Sequence, residues 1–138
     1  MHFSSEISLE TRGFSDVHDI TGEVLSALRD SKIKDGLLCV FVPGSTGSVT
    51  TIEYEKGVVE DLKEALKRLL PSSIPYRHDA RWGDGNGFSH VRAALMKPGI
   101  TVPVVGGALT LGTWQQIIFI DFDNRARKRR LVVQIVGD

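Results

Sequence analysis

The feature that most constrains the fold is the distribution of apolar residues along the chain. They form short runs, and the most continuous of these is GLLCVFVP, residues 36–43. A run of this length is typical of a strand, and its lack of alternation predicts that both faces of the strand are buried. Cys39, the only cysteine, lies inside this run. We expect it to be a small buried hydrophobic residue, since burial without a cationic neighbour keeps a thiol protonated.

Other segments predict further strands and two main helices. Residues 3–13 alternate between apolar and polar, SVTTIEYE is rich in strand-forming residues, and TVPVV, LTLGTWQQIIFIDFD and RLVVQIVG follow in the last third. DITGEVLSALRDS and GVVEDLKEALKRLLP carry apolar residues at helical spacing, and FSHVRAALM predicts a short helix in an otherwise irregular stretch. The order predicts an α+β class: one domain over residues 1–138, with a mixed or antiparallel sheet and two main helices packed on one face.

Composition argues against several classes of partner. Lysine plus arginine number 17, as do aspartate plus glutamate, so the net charge is zero and nucleic-acid or membrane binding is not expected. No apolar run approaches the roughly 20 residues of a membrane span. The start, MHFSSEISLE, lacks the layout of a signal peptide, which predicts a cytoplasmic protein. The scarcity of asparagine and glutamine hints at a heat-adapted source.

One stretch is basic, RARKRR at residues 125–130, and follows an acidic DFD. With zero net charge on the chain, we expect a solvated hairpin turn whose arginines find local partners in the DFD segment, rather than a nucleic-acid-binding patch.

The densest polar stretch is YRHDARWGDGNGFSH, residues 76–90. His78, Asp84, Asn86 and His90 lie among alternating glycines, which let the backbone turn tightly and let its N–H groups point at an anion. This pattern predicts an anion or metal site. It is equally typical of a glycine-rich turn that caps a helix, with Asn86 or Ser89 as the cap, and both interpretations remain open.

Two further segments are candidates for ligand binding. PGSTGSVTT, residues 43–51, places small hydroxyl residues after a strand, where phosphate-binding groups often lie. It is not a P-loop because no lysine follows Gly47, and a serine-rich turn is the alternative. In LGTWQQI, Trp114 and Gln115 are predicted to lie within a strand. There Trp114 is either core or site, and Gln115 either faces outward or orients a ligand.

Four segments together resemble the YjbQ-like family. They are FVPGSTGSVTTIE, YRHDARWGDGNGFSHVRAALM, TVPVVGGALTLGTWQQIIFIDFD and RLVVQIVG, and they cover nearly the whole chain. Some members of this family are described as secondary thiamine-phosphate synthases. The resemblance implies a YjbQ-like α+β fold, assembly as a homotrimer with polar sites near subunit boundaries, and a weak activity that joins an aminopyrimidine diphosphate to a thiazole phosphate.

The resemblance also implies the site residues, which match the family pattern one by one. The matching positions are His78, Asp84, Asn86, His90, Glu53, Trp114 and Gln115. This chain departs from the pattern at Gly44, where relatives often carry a histidine. That departure weakens a three-histidine metal site and any mechanism that uses the missing imidazole.

For the implied transfer, we expect Ser45, Thr46 and nearby backbone N–H groups to bind phosphate. Either Arg81 or Arg92 would supply positive charge, since a guanidinium matches the geometry of phosphate. His90 would be the proton-transfer group, since the unperturbed pKa of an imidazole lies near neutrality. Further roles follow for three side chains: Asp84 would hold a magnesium ion on the diphosphate, and Asn86 and Gln115 would orient ligands.

Two other functions compete with this transfer. The first is a trimeric protein that binds a phosphorylated metabolite without catalysis, in which Gly44 would be tolerated. The second is a metal-dependent hydrolase that holds a divalent ion such as magnesium or zinc through His78, Asp84 and His90.

Overall fold

Two antiparallel sheets form the frame of the molecule. The computed structural model describes residues 1–138. The five-stranded sheet has the order β1-β8-β3-β5-β6 and the three-stranded sheet the order β2-β7-β4, with every pairing antiparallel. The elements in chain order are β1 (His2–Thr11), β2 (Asp16–Asp19), α1 (Thr21–Ser31), β3 (Gly36–Phe41), β4 (Gly47–Glu53), α2 (Lys56–Leu69), α3 (Arg77–Trp82), α4 (Gly87–Met96), β5 (Gly99–Val105), β6 (Ala108–Leu109), β7 (Gln115–Asp121) and β8 (Arg127–Gly137).

The main core lies between the inner face of the five-stranded sheet, helix α1 and one face of the three-stranded sheet. Helix α1 contributes Val24, Ala27 and Leu28, which recur at helical spacing, and β7 contributes Ile117 and Phe119. This arrangement buries the apolar stripe of α1, and that burial stabilises a helix of this length more than its intrinsic propensity does.

A smaller core lies on the other face of the three-stranded sheet. Ile118 and Ile120 of β7 pack there with Leu66 of α2, Ala93 of α4 and Phe122. Strand β7 therefore has helices or strands on both sides, and its residues Ile117–Asp121 are all buried. This two-sided burial explains why residues 117–120 are all apolar (IIFI), because neither face of β7 meets solvent.

The expected two-sided burial of residues 36–43 is wrong. In β3, Leu38 and Val40 are buried, whereas Leu37 and Phe41 are exposed and Cys39 is only half-buried. The cause is that helices cover a single face of the five-stranded sheet, so alternate residues of β3 point away from the core. The thiol of Cys39 consequently lies on the outer face and is not part of the core.

The α+β class and the antiparallel sheet with packed helices are confirmed, but the number of elements is higher than predicted. There are two sheets instead of one, and four helices instead of the two main ones and the short one predicted at FSHVRAALM, which is α4. The additional helix α3 falls in a stretch predicted to be irregular, because its six residues include no buried side chain and so no apolar periodicity. It ends at Gly83, whose φ of 69° is left-handed and whose N–H donates to the carbonyl of Asp79 at 2.7 Å. None of the four helices combines the length and apolar character needed to cross a bilayer.

Two leucines of α1 test the placement of the core. Leu28 is buried in the main core and Leu25 is exposed, although both lie on the same helix. We expect Leu28→Ala to lower the free energy of unfolding by about 2–5 kcal/mol, because it leaves a cavity. The matched Leu25→Ala should cost less than about 1 kcal/mol. Urea denaturation of both variants measures this, and equal losses would contradict the packing of α1 described above.

Candidate functional site

Three segments that are distant in sequence meet around one polar cavity of about 560 Å³. They are the turn between β3 and β4, the segment that leads into α4 with the first turn of that helix, and the connection between β7 and β8 with the first residues of β8. No hydrophobic residue lines the cavity. Its lining residues are Gly44, Ser45, Thr46, Asp84, Asn86, His90, Asp123, Asn124, Arg125, Arg127 and Arg129.

The turn before β4 is fixed to the end of β7 by both backbone and side-chain bonds. The carbonyl of Thr46 accepts from the N–H of Phe122 at 2.9 Å, and the hydroxyl of Thr46 donates to Asp123 Oδ2 at 3.0 Å. The same hydroxyl accepts from Arg129 Nη2 at 2.6 Å. Thr46 is therefore a structural residue of the cavity wall, whereas the neighbouring Ser45 is exposed and its hydroxyl is available to a ligand.

A buried ion pair underlies the cavity floor. Arg129 donates from Nε to Asp121 Oδ2 at 2.7 Å and from Nη2 to Asp121 Oδ1 at 2.8 Å, which is a bidentate pair. Thr11 of β1 also donates to Asp121 Oδ2, at 2.6 Å, and the N–H of Asp123 donates to Oδ1 at 3.0 Å. All four hydrogen bonds converge on one carboxylate that is fully buried. The pair thus ties β1, β7 and β8 together below the cavity.

These contacts shift the acid–base properties of both partners. Burial by itself raises the pKa of Asp121, but the hydrogen bonds from Arg129, Thr11 and the Asp123 N–H lower it by more, so the pKa lies below its ordinary value. The hydrogen bonds to Asp121 raise the pKa of Arg129 by more than its burial lowers it. Asp121 and Arg129 therefore both carry their charges at neutral pH.

Asp123 lines the cavity and keeps one carboxylate oxygen without a hydrogen bond. Its Oδ2 accepts from Thr46 and from Arg127 Nη1, the latter at 3.1 Å, while its Oδ1 is buried and has no hydrogen-bond partner. A buried acceptor without a partner is costly, and in a native protein it calls for an explanation such as an ordered water or an ion. This oxygen therefore has the capacity to accept one further hydrogen bond.

The two histidines predicted for the site lie together. The ring centroids of His78 and His90 are 4.4 Å apart, with the ring planes tilted by 38°. His78 Nδ1 lies 3.3 Å from Asp84 Oδ1 and 3.6 Å from Asp79 Oδ1, and it is buried without a hydrogen-bond partner. His78, Asp84 and His90 thus lie close together, as the sequence predicted.

A subset of this cluster is suited to a metal ion. One donor atom each from His78, Asp79 and Asp84 lies within 4.8 Å of the other two. One imidazole nitrogen and two carboxylate oxygens are ligands that zinc and similar divalent ions accept. The carboxylates also support the loop, because Asp79 Oδ1 accepts from the Gly87 N–H at 2.8 Å and Asp84 Oδ1 from the Asn86 N–H at 3.2 Å.

Asn86 connects two walls of the cavity. It occupies the N-cap position of α4, yet its side chain makes no capping bond to the helix backbone. Its Oδ1 accepts instead from Ser89 Oγ at 2.6 Å and from the Asn124 N–H at 3.2 Å. The glycine-rich stretch therefore starts a helix at Asn86, although without the predicted side-chain cap, and it also lines a polar cavity.

A protein-family model described as "UPF0047 protein YjbQ-like" matches residues 5–138. The chain belongs to the YjbQ-like UPF0047 family. Its relatives include a UPF0047 protein of Archaeoglobus fulgidus, 36% identical over 129 residues that cover 94% of this chain and 98% of the relative. Another is the UPF0047 protein of Mycobacterium tuberculosis H37Rv, 48% identical over 99 residues that cover 70% and 74% of the two chains. The resemblance drawn from the sequence is thereby confirmed.

Solved structures agree with this assignment. A YbjQ-like protein of unknown function from Sulfolobus solfataricus P2 superposes with a TM-score of 0.94 at 29% identity, covering 100% of this chain and 99% of the other. A hypothetical protein from Aeropyrum pernix K1 gives a TM-score of 0.90 at 32% identity and covers 98% of both chains. The YjbQ-like fold is thus confirmed over the whole length.

Several residues that match the family pattern lie away from the cavity within one chain. Glu53 pairs with Gln115 at one end of the β4–β7 ladder, while Gly47 pairs with Asp121 at the cavity end, six residues or about 20 Å away. Gln115 donates to Thr51 Oγ1 at 3.0 Å. The prediction that Trp114 lies in a strand is wrong, because β7 begins one residue later and the indole is 73% exposed.

The two arginines expected to add charge to the site also lie elsewhere. The guanidinium of Arg81 stacks over the Trp82 ring, 5.7 Å from its centroid. Arg92 is buried and donates to the Leu70 carbonyl and to Ser15. Neither side chain lines the polar cavity.

Arg125, Arg127 and Arg129 take that place, and none of them was predicted to be a site residue. The expectation of a solvated hairpin turn is wrong, because β7 and β8 belong to different sheets, residues 127–130 lie within β8, and Arg129 is buried. The expected local pairing with DFD is present in the Arg127–Asp123 and Arg129–Asp121 pairs. A signal was available, since Asp121 lies within a buried run and a buried carboxylate requires a partner. The nearest candidates for that partner were the arginines of the RARKRR stretch, and Arg129 is the one that pairs with Asp121.

The depressed pKa of Asp121 predicts acid sensitivity. A group with a lowered folded-state pKa stabilises fully above its unfolded pKa, about 3.9, and this contribution is lost as pH falls through the folded pKa. We expect the free energy of unfolding to fall below about pH 4, and to fall less in Asp121→Asn, which should already be about 3–5 kcal/mol less stable at neutral pH. Urea denaturation from neutral pH to about pH 2.5 measures both.

The control for this variant is Asp30→Asn, which changes an exposed aspartate outside the ion pair. It should retain the wild-type dependence on pH. An Asp121→Asn protein whose stability falls as steeply in acid as that of the wild type would contradict the role assigned to the pair.

Proposed function

We propose that the polar cavity binds a phosphorylated small molecule and that the protein catalyses a transfer of the thiamine-phosphate synthase type. In this reaction an aminopyrimidine diphosphate is joined to a thiazole phosphate. The observation that carries the proposal is the wall without hydrophobic residues, on which Arg125 and Arg127 converge with His90 and Asp84. Such a surface suits a strongly anionic ligand and offers nothing to an apolar one.

Phosphate binding rests on donors that the protein leaves unpaired or only partly engaged. Arg125 has no carboxylate within 4.0 Å, so its charge is not neutralised by the protein. Arg127 is paired with Asp123 but remains partly exposed on the wall. The hydroxyl of Ser45, on the turn that follows Gly44, faces the same space. A diphosphate placed here would receive charge-assisted hydrogen bonds from two arginines and one from the serine.

The chemical step breaks the bond between the diphosphate oxygen and the methylene carbon of the pyrimidine. The thiazole nitrogen supplies the electron pair for the new carbon–nitrogen bond, and diphosphate leaves with the electrons of the broken bond. The two arginines stabilise the negative charge that grows on the leaving group. His90 donates a proton to the leaving oxygen, and the carboxylate of Asp123 at the cavity wall balances positive charge on the pyrimidine. Asp84 would hold a magnesium ion that neutralises the diphosphate.

Activity measurements on variants of His90 and Asp84 test the proposal. We expect His90→Ala and Asp84→Ala each to lower the rate of thiamine phosphate formation by about 10²–10⁴-fold with magnesium present, because proton transfer and charge neutralisation are lost. His2→Ala and Asp30→Ala are the matched controls, since they remove the same groups from exposed positions outside the cavity. Circular dichroism verifies that every variant is folded.

Unchanged turnover in both cavity variants would remove these residues from the mechanism. A wild-type protein whose melting temperature rises with either substrate, yet which forms no product, would favour the binding protein without catalysis. The metal-dependent hydrolase is the second candidate function, and the free Nδ1 of His78 beside Asp79 and Asp84 favours it. A stoichiometric transition metal in the purified protein would support that candidate.

We further propose that the protein assembles as a homotrimer through the outer face of the five-stranded sheet. This face carries Leu37, Phe41, Val105 and Val136 as exposed apolar side chains, and Leu37 and Val136 lie opposite each other on β3 and β8. Contiguous apolar surface of this kind is a common sign of an interface.

Sedimentation equilibrium tests the assembly. We expect the wild type to have about three times the chain mass of 15.2 kDa. Val136→Glu should reduce the mass to that of one chain, because an interface excludes an unpaired charge. Leu69→Glu is the control, since Leu69 is an exposed apolar residue on α2 and away from this face. A monomeric wild type would contradict the proposal.

A further inference from the structure

A second cavity of about 440 Å³ lies on the other side of the segment that leads into α4. Lys63 and Lys67 of α2 form one side and Arg92 of α4 another, while Phe14 and Ser15 form the turn at its edge. We propose that this cavity is a second, separate binding site for a small oxyanion, with the phosphate group of a metabolite as its ligand. The proposal does not depend on the transfer reaction assigned to the first cavity.

A buried guanidinium without a counter-charge is the main observation. Arg92 is 5% exposed, and no carboxylate lies within 4.0 Å of it. A buried charge is normally paired, as Arg129 is with Asp121 in the same molecule. The chain provides Arg92 only with neutral partners, among them the Phe88 ring 4.9 Å from its guanidinium, so the counter-charge of Arg92 is a group that the chain does not provide.

The contacts of Arg92 satisfy it only in part. Its Nε and Nη2 donate to the Leu70 carbonyl at 3.0 and 2.8 Å, and Nη1 donates to Ser15 Oγ at 3.3 Å. These bonds cap the C-terminal end of α2, which is a structural role that suits a cation. They use three of the five N–H groups of a guanidinium. The other two N–H groups, one on each terminal nitrogen, are available to an anion in the cavity.

The other charged residues that line the cavity are mostly positive, as binding of an anion requires. Lys63 and Lys67 lie one helical turn apart on α2 and line the cavity with Arg92, against a single acidic lining residue, Glu60. Lys67 also lies 3.4 Å from Glu64, but both of these side chains are largely exposed, and such a pair is weak. The net charge of the lining is therefore positive.

The turn at the edge of the cavity supplies a hydroxyl and a ring. Ser15 accepts from Arg92 through Oγ, so its own hydroxyl hydrogen is free to donate to a ligand. Phe14 is 67% exposed beside it, and both residues have left-handed φ angles, 54° and 65°. The backbone bonds from Phe14 to the Asp123 carbonyl and from Ser15 to the Asp121 carbonyl, at 2.7 and 2.8 Å, hold this turn in place.

The two cavities are neighbours but have different linings. Asn124 is the single residue that lines both, and its Nδ2 donates to the Asp84 carbonyl at 2.8 Å to close the wall between them. Binding to each can therefore be observed separately by local reporters. The Arg92 Nε–H and Ser15 N–H report on the second cavity, and the Ser45 N–H and Arg125 Nε–H report on the first.

Titration of the ¹⁵N-labelled protein with inorganic phosphate at constant ionic strength tests the proposal. We expect saturable shifts of the Arg92 and Ser15 signals in the wild type. The double variant Lys63→Gln/Lys67→Gln should bind phosphate at these reporters about tenfold or more weakly, since two charge-assisted contacts are lost. This variant keeps Arg92, so the cap of α2 remains and the protein should fold.

The matched control is Lys56→Gln/Arg68→Gln, which removes two positive charges from α2 at exposed positions outside the cavity. It should leave the affinity within about twofold of the wild-type value. Equal weakening in both double variants would show a general electrostatic effect and overturn the proposal. Shifts confined to Ser45 and Arg125 would also overturn it while leaving the first cavity supported. Loss of those shifts alone would count against the first cavity and leave this site standing.

Discussion

The buried pair of Arg129 and Asp121 is the interaction on which the rest of the site depends. Two charges removed from water are tolerated only if each satisfies the other, and here a bidentate contact does so. The same two side chains also bind Thr11 and Thr46, which belong to β1 and to the turn before β4. The pair therefore fixes four parts of the chain at one point, and the cavity above it has rigid walls for that reason.

This point coincides with the junction of the two sheets. Strand β7 belongs to the three-stranded sheet and β8 to the five-stranded sheet, so the chain between them has to cross from one layer to the other. Backbone at such a crossing cannot form ladder bonds, and side chains take their place. Gly13 approaches the same crossing so closely that a Cβ atom on it would lie 2.4 Å from the Arg125 carbonyl oxygen. Its φ of 74° also favours glycine, so both the backbone conformation and the lack of space require glycine at this position.

Periodicity in the sequence predicted the elements that have one face in the core. Helices α1 and α2 and strand β1 belong to this group, because burial of one face leaves a regular pattern in the chain. The pattern failed for β3, where an apolar run alone does not reveal how many faces of the strand are covered. It also failed for α3, whose six residues bury no side chain.

The candidate site was predictable where its residues are neighbours in sequence. His78, Asp84, Asn86 and His90 lie within thirteen positions, and their chemistry is visible as a cluster. The contribution of Arg129 was not visible, since its hydrogen bond to Thr46 joins residues 83 positions apart. Arg92 was misassigned for the related reason that it lies close to His90 in sequence but faces α2 and the Ser15 turn. Helical rotation separates the two side chains, and only the fold tells which cavity each one enters.

The glycine at position 44 lacks a side chain and also sets the backbone conformation of its turn. Its φ of 119° lies in the region that L residues rarely adopt, and a Cβ atom there would lie 3.3 Å from Arg129 Nη1. A histidine at this position would therefore strain the turn, whereas Arg129 Nη1 would have to move by only a few tenths of an ångström. The bonds from Arg129 to Asp121 and Thr46 come from Nε and Nη2, so the buried pair can persist beside a side chain at position 44. The backbone of the turn, more than the ion pair, is thus what favours glycine here. With glycine at this position, the imidazoles of this region are His90, which lines the cavity, and the adjacent His78.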